Sequence, residues 1–251
     1  MRNALIRIIG WRATVLHGDP CVYDRFNWFR IQLQSPKMRT LDAGCGSGAF
    51  AIYAAVKGNE TVGISFNPDE TLKARERANI LGISNINFVA DDLRNLSQIS
   101  SHLGEFDQII CFETIEHIMN DDQLIQDLCA LLKPGGRLLL TSPYLRHHRL
   151  LGERLSEYED GGHVRWGYTH EQMHSIFQKH QLDVVTYDYV SGVISQTLTN
   201  LMRFLSRIDY KVSWVLTFPL RILQLLDKPL TEVMGYPYLC IAVVGVKKSD
   251  E

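Results

Sequence analysis

The sequence contains no C-x-x-C pair, no apolar run of membrane-spanning length, no low-complexity linker and almost no net charge. Its five cysteines (Cys21, Cys45, Cys111, Cys129, Cys240) are odd in number and widely spaced, which excludes a disulfide framework and suits reduced thiols in the cytoplasm. The longest apolar-rich stretch, residues 214–226, is interrupted by Pro219 and Arg221 and falls short of the roughly 20 residues that cross a bilayer. Arg2, Arg7 and Arg12 break up the N-terminal apolar residues, so no signal-peptide core is expected. Leu5, Ile8 and Ile9 suit instead an amphipathic helix packed on the domain, with contact to a membrane surface as the other reading. With 26 basic and 28 acidic side chains, the formal charge of −2 lacks the basic excess of a surface built to hold nucleic acid.

What is present is a globular composition, 45% hydrophobic and 22% charged over 251 residues, enough for one domain with a substantial core. Strands are expected at 38–43, 60–65, 85–89, 106–111 and 137–141, with helices at 48–57, 68–81 and 121–132 between them. Near-continuous apolar strands alternating with helices imply a parallel sheet covered on both faces. After residue 142 the pattern changes. Residues 142–167 are polar and rich in His, Arg and Gly, too long for an ordinary loop and of the length that forms lids. A helix at 169–180, a strand at 182–190, one or two extra helices over 191–235 and a last strand at 236–246 complete the chain. The economical parse is one α/β domain with a doubly wound, seven-stranded sheet: an N-terminal helical segment (1–36), a core (38–142), a lid (143–168) and a helical insertion (191–235).

Asp42-Ala43-Gly44-Cys45-Gly46-Ser47-Gly48 lies between the first strand and the first helix of that core. Glycines there allow a tight turn and the close approach of a ligand to the helix N-terminus. In a doubly wound sheet this loop borders the crevice where ligands bind. Gly44-x-Gly46-x-x-Ala49 satisfies a dinucleotide fingerprint, but the second strand ends in Ser65 where an acid would hold the ribose of NAD.

Three segments in order carry a family resemblance. Asp42 to Gly48 resembles the D/E-x-G-x-G-x-G signature of class I S-adenosylmethionine (SAM)-dependent methyltransferases. Phe106 to Ile118 resembles their F-D…L-E-H-I stretch, and Leu132-Lys-Pro-Gly-Gly-Arg137-Leu-Leu-Leu140 their L-K-P-G-G turn and fifth strand. The resemblance covers residues 38–142 and implies a Rossmann-like methyltransferase fold, SAM as cofactor and methyl transfer as activity. By that resemblance Asp42 and the backbone of Gly44, Cys45, Gly46 and Gly48 hold the methionine moiety. The turn Asp91-Asp92-Leu93 faces the adenine, with Asp91 accepting from its amino group and Ile64 and Phe112 as apolar walls. Ser65 is a departure from most of the family. Gly63-Ile-Ser-Phe-Asn67-Pro-Asp-Glu70 is closer to the G-I/L-T-L-S-x-x-Q stretch of tocopherol and cyclopropane-fatty-acid methyltransferases, which assigns the ribose to Glu70, with Asn67 and Ser65 beside it.

A base is needed if the acceptor is an undissociated hydroxyl or a protonated amine. His117, beyond the fourth strand, is the first candidate, and His163 and Tyr168 of the lid are next. His147 and His148, flanked by Arg146 and Arg149, form a basic cluster suited to an anionic substrate. No metal site is expected. His170-Glu171-Gln172-Met173-His174 fits H-E-x-x-H, but His180 would lie about 240° around a continuing helix from His174. Thr169 with Gln172 reads more simply as a capping box. Ser142-Pro143-Tyr144 lacks the second proline of the D/N/S-P-P-Y/F/W motif of nucleic-acid amino-methyltransferases and follows the wrong strand.

Residues 196–230 carry more large apolar side chains than one helix can bury, interleaved with Arg203, Arg207, Lys211, Arg221 and Lys228. Cover over the substrate mouth, a homodimer contact and peripheral contact with a membrane surface all fit. The expected function is methyl transfer from SAM to an oxygen, or else a carbon or nitrogen, of a small, partly apolar metabolite in the cytoplasm. A non-catalytic SAM-binding module and an NAD(P)-linked oxidoreductase are the alternatives.

Overall fold

Near-continuous apolar runs form the strands. The computed structural model, which describes residues 2–149 and 154–249, assembles them into one seven-stranded sheet. In chain order come α1 (Arg2–Ile9), α2 (Arg12–Leu16), α3 (Pro20–Gln32), β1 (Arg39–Ala43), α4 (Ala49–Val56), β2 (Glu60–Ser65) and α5 (Pro68–Ile80). They are followed by β3 (Ile86–Ala90), α6 (Leu96–Leu103), β4 (Phe106–Phe112), α7 (Asp121–Ala130), β5 (Leu132–Pro143) and α8 (His170–Lys179). The chain closes with β6 (Leu182–Val190), α9 (Val193–Ser206), α10 (Tyr210–Thr217), a 3-10 segment at Pro219–Leu226, α11 (Asp227–Met234) and β7 (Cys240–Lys247).

The strand order is β3-β2-β1-β4-β5-β7-β6, the expected doubly wound arrangement. Strands β1 to β5 run parallel, and the order reverses between β1 and β4. The loops leaving those two strands diverge and open a crevice at their carboxyl ends. Beyond these five parallel strands, β7 is antiparallel to both β5 and β6. The reason lies in the connection. Val190 at the end of β6 pairs with Cys240 at the start of β7, so the intervening helices bring the chain back to the edge it left, and the next strand must run the other way.

Side chains alternate across the sheet with period two and divide the core. Ile109, Cys111, Leu138 and Leu140 pack with Leu124 and Leu128 of α7 and Met173 and Phe177 of α8. Ile110, Phe112 and Leu139 pack on the other side with Phe26 and Phe29 of α3 and Tyr53 of α4. At the N-terminus α1 lies against α5, as an amphipathic helix should, but through a different residue. Ile6 is buried and Ile8 is 76% exposed. The two positions are about 200° apart around the axis, so a helix seated on one must expose the other.

The start of α8 matches the capping box. Thr169 Oγ1 accepts from the Gln172 N–H, and Gln172 Oε1 accepts from the Thr169 N–H at 2.9 Å. The three histidines of the H-E-x-x-H-like segment have separate partners: the Asp188 carbonyl for His170, the Tyr187 hydroxyl for His174 and the Asp122 carboxylate for His180. They do not converge. Thr169→Ala should therefore lower the unfolding free energy by about 1 kcal/mol, measured by urea denaturation.

Candidate functional site

The site starts from the turn between β1 and α4. Asp42 is buried, and its Oδ2 accepts the Ala51 N–H at 2.9 Å, which ties the first turn of α4 back to the strand. Burial raises the Asp42 carboxyl to about 7, against the pull of that hydrogen bond. Arg77 of α5, itself buried, braces the turn by donating to the Ser47 carbonyl at 2.8 Å and the Ser47 hydroxyl at 2.6 Å. Gly46 has φ +49°, and a Cβ built there would meet nothing within 4 Å, so its α-carbon borders open space. Gly48 is different. A Cβ there would strike Ala74 and Phe88 at 2.9 Å, so helix packing also requires that glycine.

Two clefts flank this turn, and Gly44 lines both. The first, of about 290 Å³, brings together Gly44, Gly46, Ser65, Asn67, Glu70, Asp92, Leu93 and His117 from the sequence-derived set. Phe66, Arg94, Thr114, Ile118, Glu159 and Gly161 complete it, none of them foreseen. Asn67 caps α5 by accepting the Asp69 N–H at 2.9 Å, and Glu70 is ion-paired with Lys73. The second cleft, also of about 290 Å³, carries Asp42, Cys45 and Phe112, faced by Thr14, His17, Gly18 and Val22 from the N-terminal helices and by Tyr210.

Three expected contacts on the adenine side are corrected. Ile64 is fully buried in the sheet core. Phe112 lines the second cleft, held edge-on between Phe29 and Phe50 with ring centroids at 5.6 and 5.0 Å. Asp91 turns toward a groove at the edge of the sheet that also contains Arg39 and Asn85, while its neighbour Asp92 faces the first cleft. Successive residues leaving a strand project to opposite sides, so the acidic group on the cleft side is Asp92. Its carboxylate is held by Arg94, which keeps it below the usual carboxylate range.

A third cleft, of about 220 Å³, adjoins the first, and Glu113 lines both. Its walls include Arg25 of α3, Glu116 beyond β4, His147, His148, His163 and Trp166 of the segment after β5, and Gln196, Asn200 and Arg203 of α9. Glu113 adopts φ +48°, a left-handed conformation unusual for a side chain with a Cβ. Thr141 Oγ1 donates to its Oε1 at 3.0 Å, and Arg25 pairs with its Oε2 at 3.4 Å. Burial opposes the charge on Arg25, but Glu113 outweighs it and keeps the guanidinium protonated.

Glu116 is fully buried. Ser142 donates to its Oε2 at 3.3 Å, while Oε1 has no hydrogen-bond partner among the described residues. Burial, and then the charge of Glu113, push its carboxyl well above the ordinary range. His117 is oriented through Nδ1 by the Gly162 carbonyl at 3.0 Å, and its ring lies 4.7 Å from that of His163, edge to face. Glu116, His117 and His163 thus offer one ligand atom each, all within 4.8 Å of one another, an arrangement able to hold a metal ion. Sequence spacing could not reveal it, because His163 reaches the other two only through the fold. Tyr168 is not part of this group. Its buried hydroxyl donates to Asp121 Oδ2 at 2.6 Å, and burial together with that bond raises its pKa, so the expected role as a base is corrected to a structural one.

The raised Asp42 carboxyl has a consequence for stability. Its folded value of about 7 exceeds the unfolded one, so the stability it contributes is full below about pH 4 and is lost as the pH rises through 7. The difference in unfolding free energy between the wild type and Asp42→Asn should fall across that window, by at most about 1.4 kcal/mol per pH unit, in chemical denaturation at each pH.

Comparison with known proteins agrees with this geometry. Ubiquinone biosynthesis O-methyltransferase of Xanthomonas axonopodis pv. citri is 28% identical over 118 residues, 47% of this chain and 48% of that protein. The chain therefore spans about half the length of the curated relatives it matches. Among solved structures, the cyclase SpnF superposes with a TM-score of 0.63 at 18% identity, covering 90% of this chain and 82% of that one. The N-methyltransferase NodS from Bradyrhizobium japonicum WM9, in complex with S-adenosylhomocysteine, gives 0.58 at 18% identity and covers 92% and 90%. At such identities the likeness is one of fold, the Rossmann-like methyltransferase sheet. Residues 34–181, more than half of the chain, match the family described as a methyltransferase domain, and the chain belongs to that family.

Proposed function

We propose that this protein transfers a methyl group from S-adenosylmethionine to an oxygen of a small acceptor. The observation that carries the reading is the meeting of two clefts at Glu113, with His117 in one and His163 in the other and their rings 4.7 Å apart. Gly44 and Gly46 would hold the cofactor's amino-acid tail, Glu70 and Asn67 its ribose, and Leu93, Ile118 and Asp92 its adenine. The sulfonium is a good leaving group, so the protein chiefly aligns the acceptor oxygen behind the methyl carbon, and such alignment is worth roughly 7–11 kcal/mol in favourable cases. The imidazole of His163 or His117 accepts the hydroxyl proton as the bond to carbon forms.

Glu116 Oε1, which accepts no hydrogen bond among the described residues and lies 4.0 Å from His117 Nε2, favours a second reading of the same step. A divalent cation held by Glu116, His117 and His163 would acidify the acceptor hydroxyl directly. The acceptor cleft suits a small molecule rather than nucleic acid: its charges are mixed, Arg25 and Arg203 beside Asp19, Glu113 and Glu116, and Trp166 and Leu239 supply an apolar wall. Five free, buried cysteines support a reducing, cytoplasmic setting.

Transfer of label from radioactive SAM into small hydroxylated metabolites is the direct test. Gly46→Val should abolish SAM binding in calorimetry while circular dichroism stays unchanged, and an unaltered affinity would overturn the cofactor placement. His163→Ala should slow transfer by about 100-fold or more without weakening SAM binding. Turnover lost on chelation and restored by Mg²⁺ or Mn²⁺ supports the cation reading, and turnover indifferent to chelation leaves the histidine pair as the base.

A further inference from the structure

The helices between β6 and β7 invert the usual distribution of side chains. Their inward faces carry small polar side chains beside Leu198 and Met202. Ser213 Oγ donates to the Met202 carbonyl at 2.7 Å and meets Ser206 Oγ at 3.1 Å, and Thr217 is buried beside them. Asp227 accepts the N–H groups of Gly192 and Ile194 at 2.7 Å each, and Thr231 accepts that of Val193 at 2.9 Å. Their outward faces are aliphatic. Ile208, Ile222, Leu225 and Val233 are 81, 69, 80 and 86% exposed, and the segment Pro219–Leu226 buries none of its residues. Scattered apolar side chains are normal on a protein surface, but a continuous segment whose large apolar groups point outward while its hydroxyls and carboxylate point inward marks a contact face. Small polar side chains between helices with apolar exteriors are the arrangement that suits a lipid environment.

Charge identifies the occupant. Arg203, Arg207, Lys211 and Lys228 are exposed among these aliphatic groups, against exposed Asp209 and Glu232. A two-fold contact with a second copy would set this cationic patch against itself. Anionic headgroups would neutralise it, each cation near such a surface contributing to attraction. Among the described residues no helix is long and apolar enough to cross a membrane, so the fitting geometry is interfacial.

We propose that the outer face of residues 204–234 docks on the surface of an anionic lipid bilayer. Its aliphatic side chains enter the boundary between headgroups and acyl chains, and Arg207, Lys211 and Lys228 meet lipid phosphates. α9 then links this face to the interior, because Gln196, Asn200 and Arg203 on the same helix line the acceptor cleft. The segment lies outside residues 34–181, the part of the chain that the family model matches.

Co-sedimentation of the full chain with vesicles tests the proposal without cofactor or acceptor, so its outcome is independent of the methyl-transfer reading. The protein should sediment with vesicles of phosphatidylglycerol and phosphatidylcholine, and less with phosphatidylcholine alone or at high salt. The triple substitution Ile222→Ser, Leu225→Ser, Val233→Ser touches no buried residue and should weaken partitioning at least about tenfold with circular dichroism unchanged. Lys211→Glu with Lys228→Glu should weaken it by about tenfold or more on anionic vesicles only. Equal sedimentation with and without vesicles would overturn the proposal, as would a concentration-dependent dimer in light scattering that the triple substitution dissolves.

Discussion

Glu113 lines both the first cleft and the third, and its carboxylate is fixed from several sides. Thr141 of β5 donates to one oxygen, while Arg25 of α3 and the Cys240 thiol of β7 approach the other. Its backbone sits in the left-handed region, at a cost of order 1–3 kcal/mol that the surrounding contacts must offset. That conformation turns the chain sharply at the end of β4 and delivers Thr114, Glu116 and His117 to the crevice in quick succession. Arg25 is tied to the same point, so the N-terminal helices are fastened where the two clefts join rather than merely laid over the sheet. An ion pair of this kind, partly buried and supported by further hydrogen bonds, specifies geometry more than it adds stability.

The third cleft is assembled about equally from parts inside and outside the residues that match the family. Asp19, Cys21 and Arg25 come from the N-terminal segment, and Gln196, Thr199, Asn200 and Arg203 from α9, while residues 34–181 contribute Glu113, Glu116, Pro143, Trp166 and the histidines. The division matches a fold that hosts many acceptors on one cofactor frame. It also explains the polar interior of the insertion: its inward-facing serines, threonines and Asp227 cap and brace α9, which must present its own polar residues to the cleft.

Much of this was legible in the sequence, and what was not has a common cause. The glycine turn and the capping of α8 by Thr169 follow from local chemistry at fixed spacing, while the strand order and the placing of Glu70 and Asn67 in the cleft follow from the family resemblance. Sidedness does not. Asp91 and Asp92 are chemically equal, and only strand register decides which faces the cleft. Phe112 and Ile64 failed for the same reason, and Ile8 lost its place to Ile6 by a rotation about the helix axis. Tyr168 illustrates a different limit: a hydroxyl beside an active centre in sequence was already committed to Asp121 in space. The Glu116–His117–His163 group required the segment after β5 to fold back, which no periodicity announces.

That segment has a kinetic implication. Residues 159–165 are strapped to the far side of the crevice by Arg94 on Glu159, by the Gly162 carbonyl on His117 and by Arg165 on Asp121. One stretch therefore furnishes Glu159 and Gly161 to the first cleft and His163 to the third. A displacement of that stretch would alter both clefts together, so exchange of their contents would be linked.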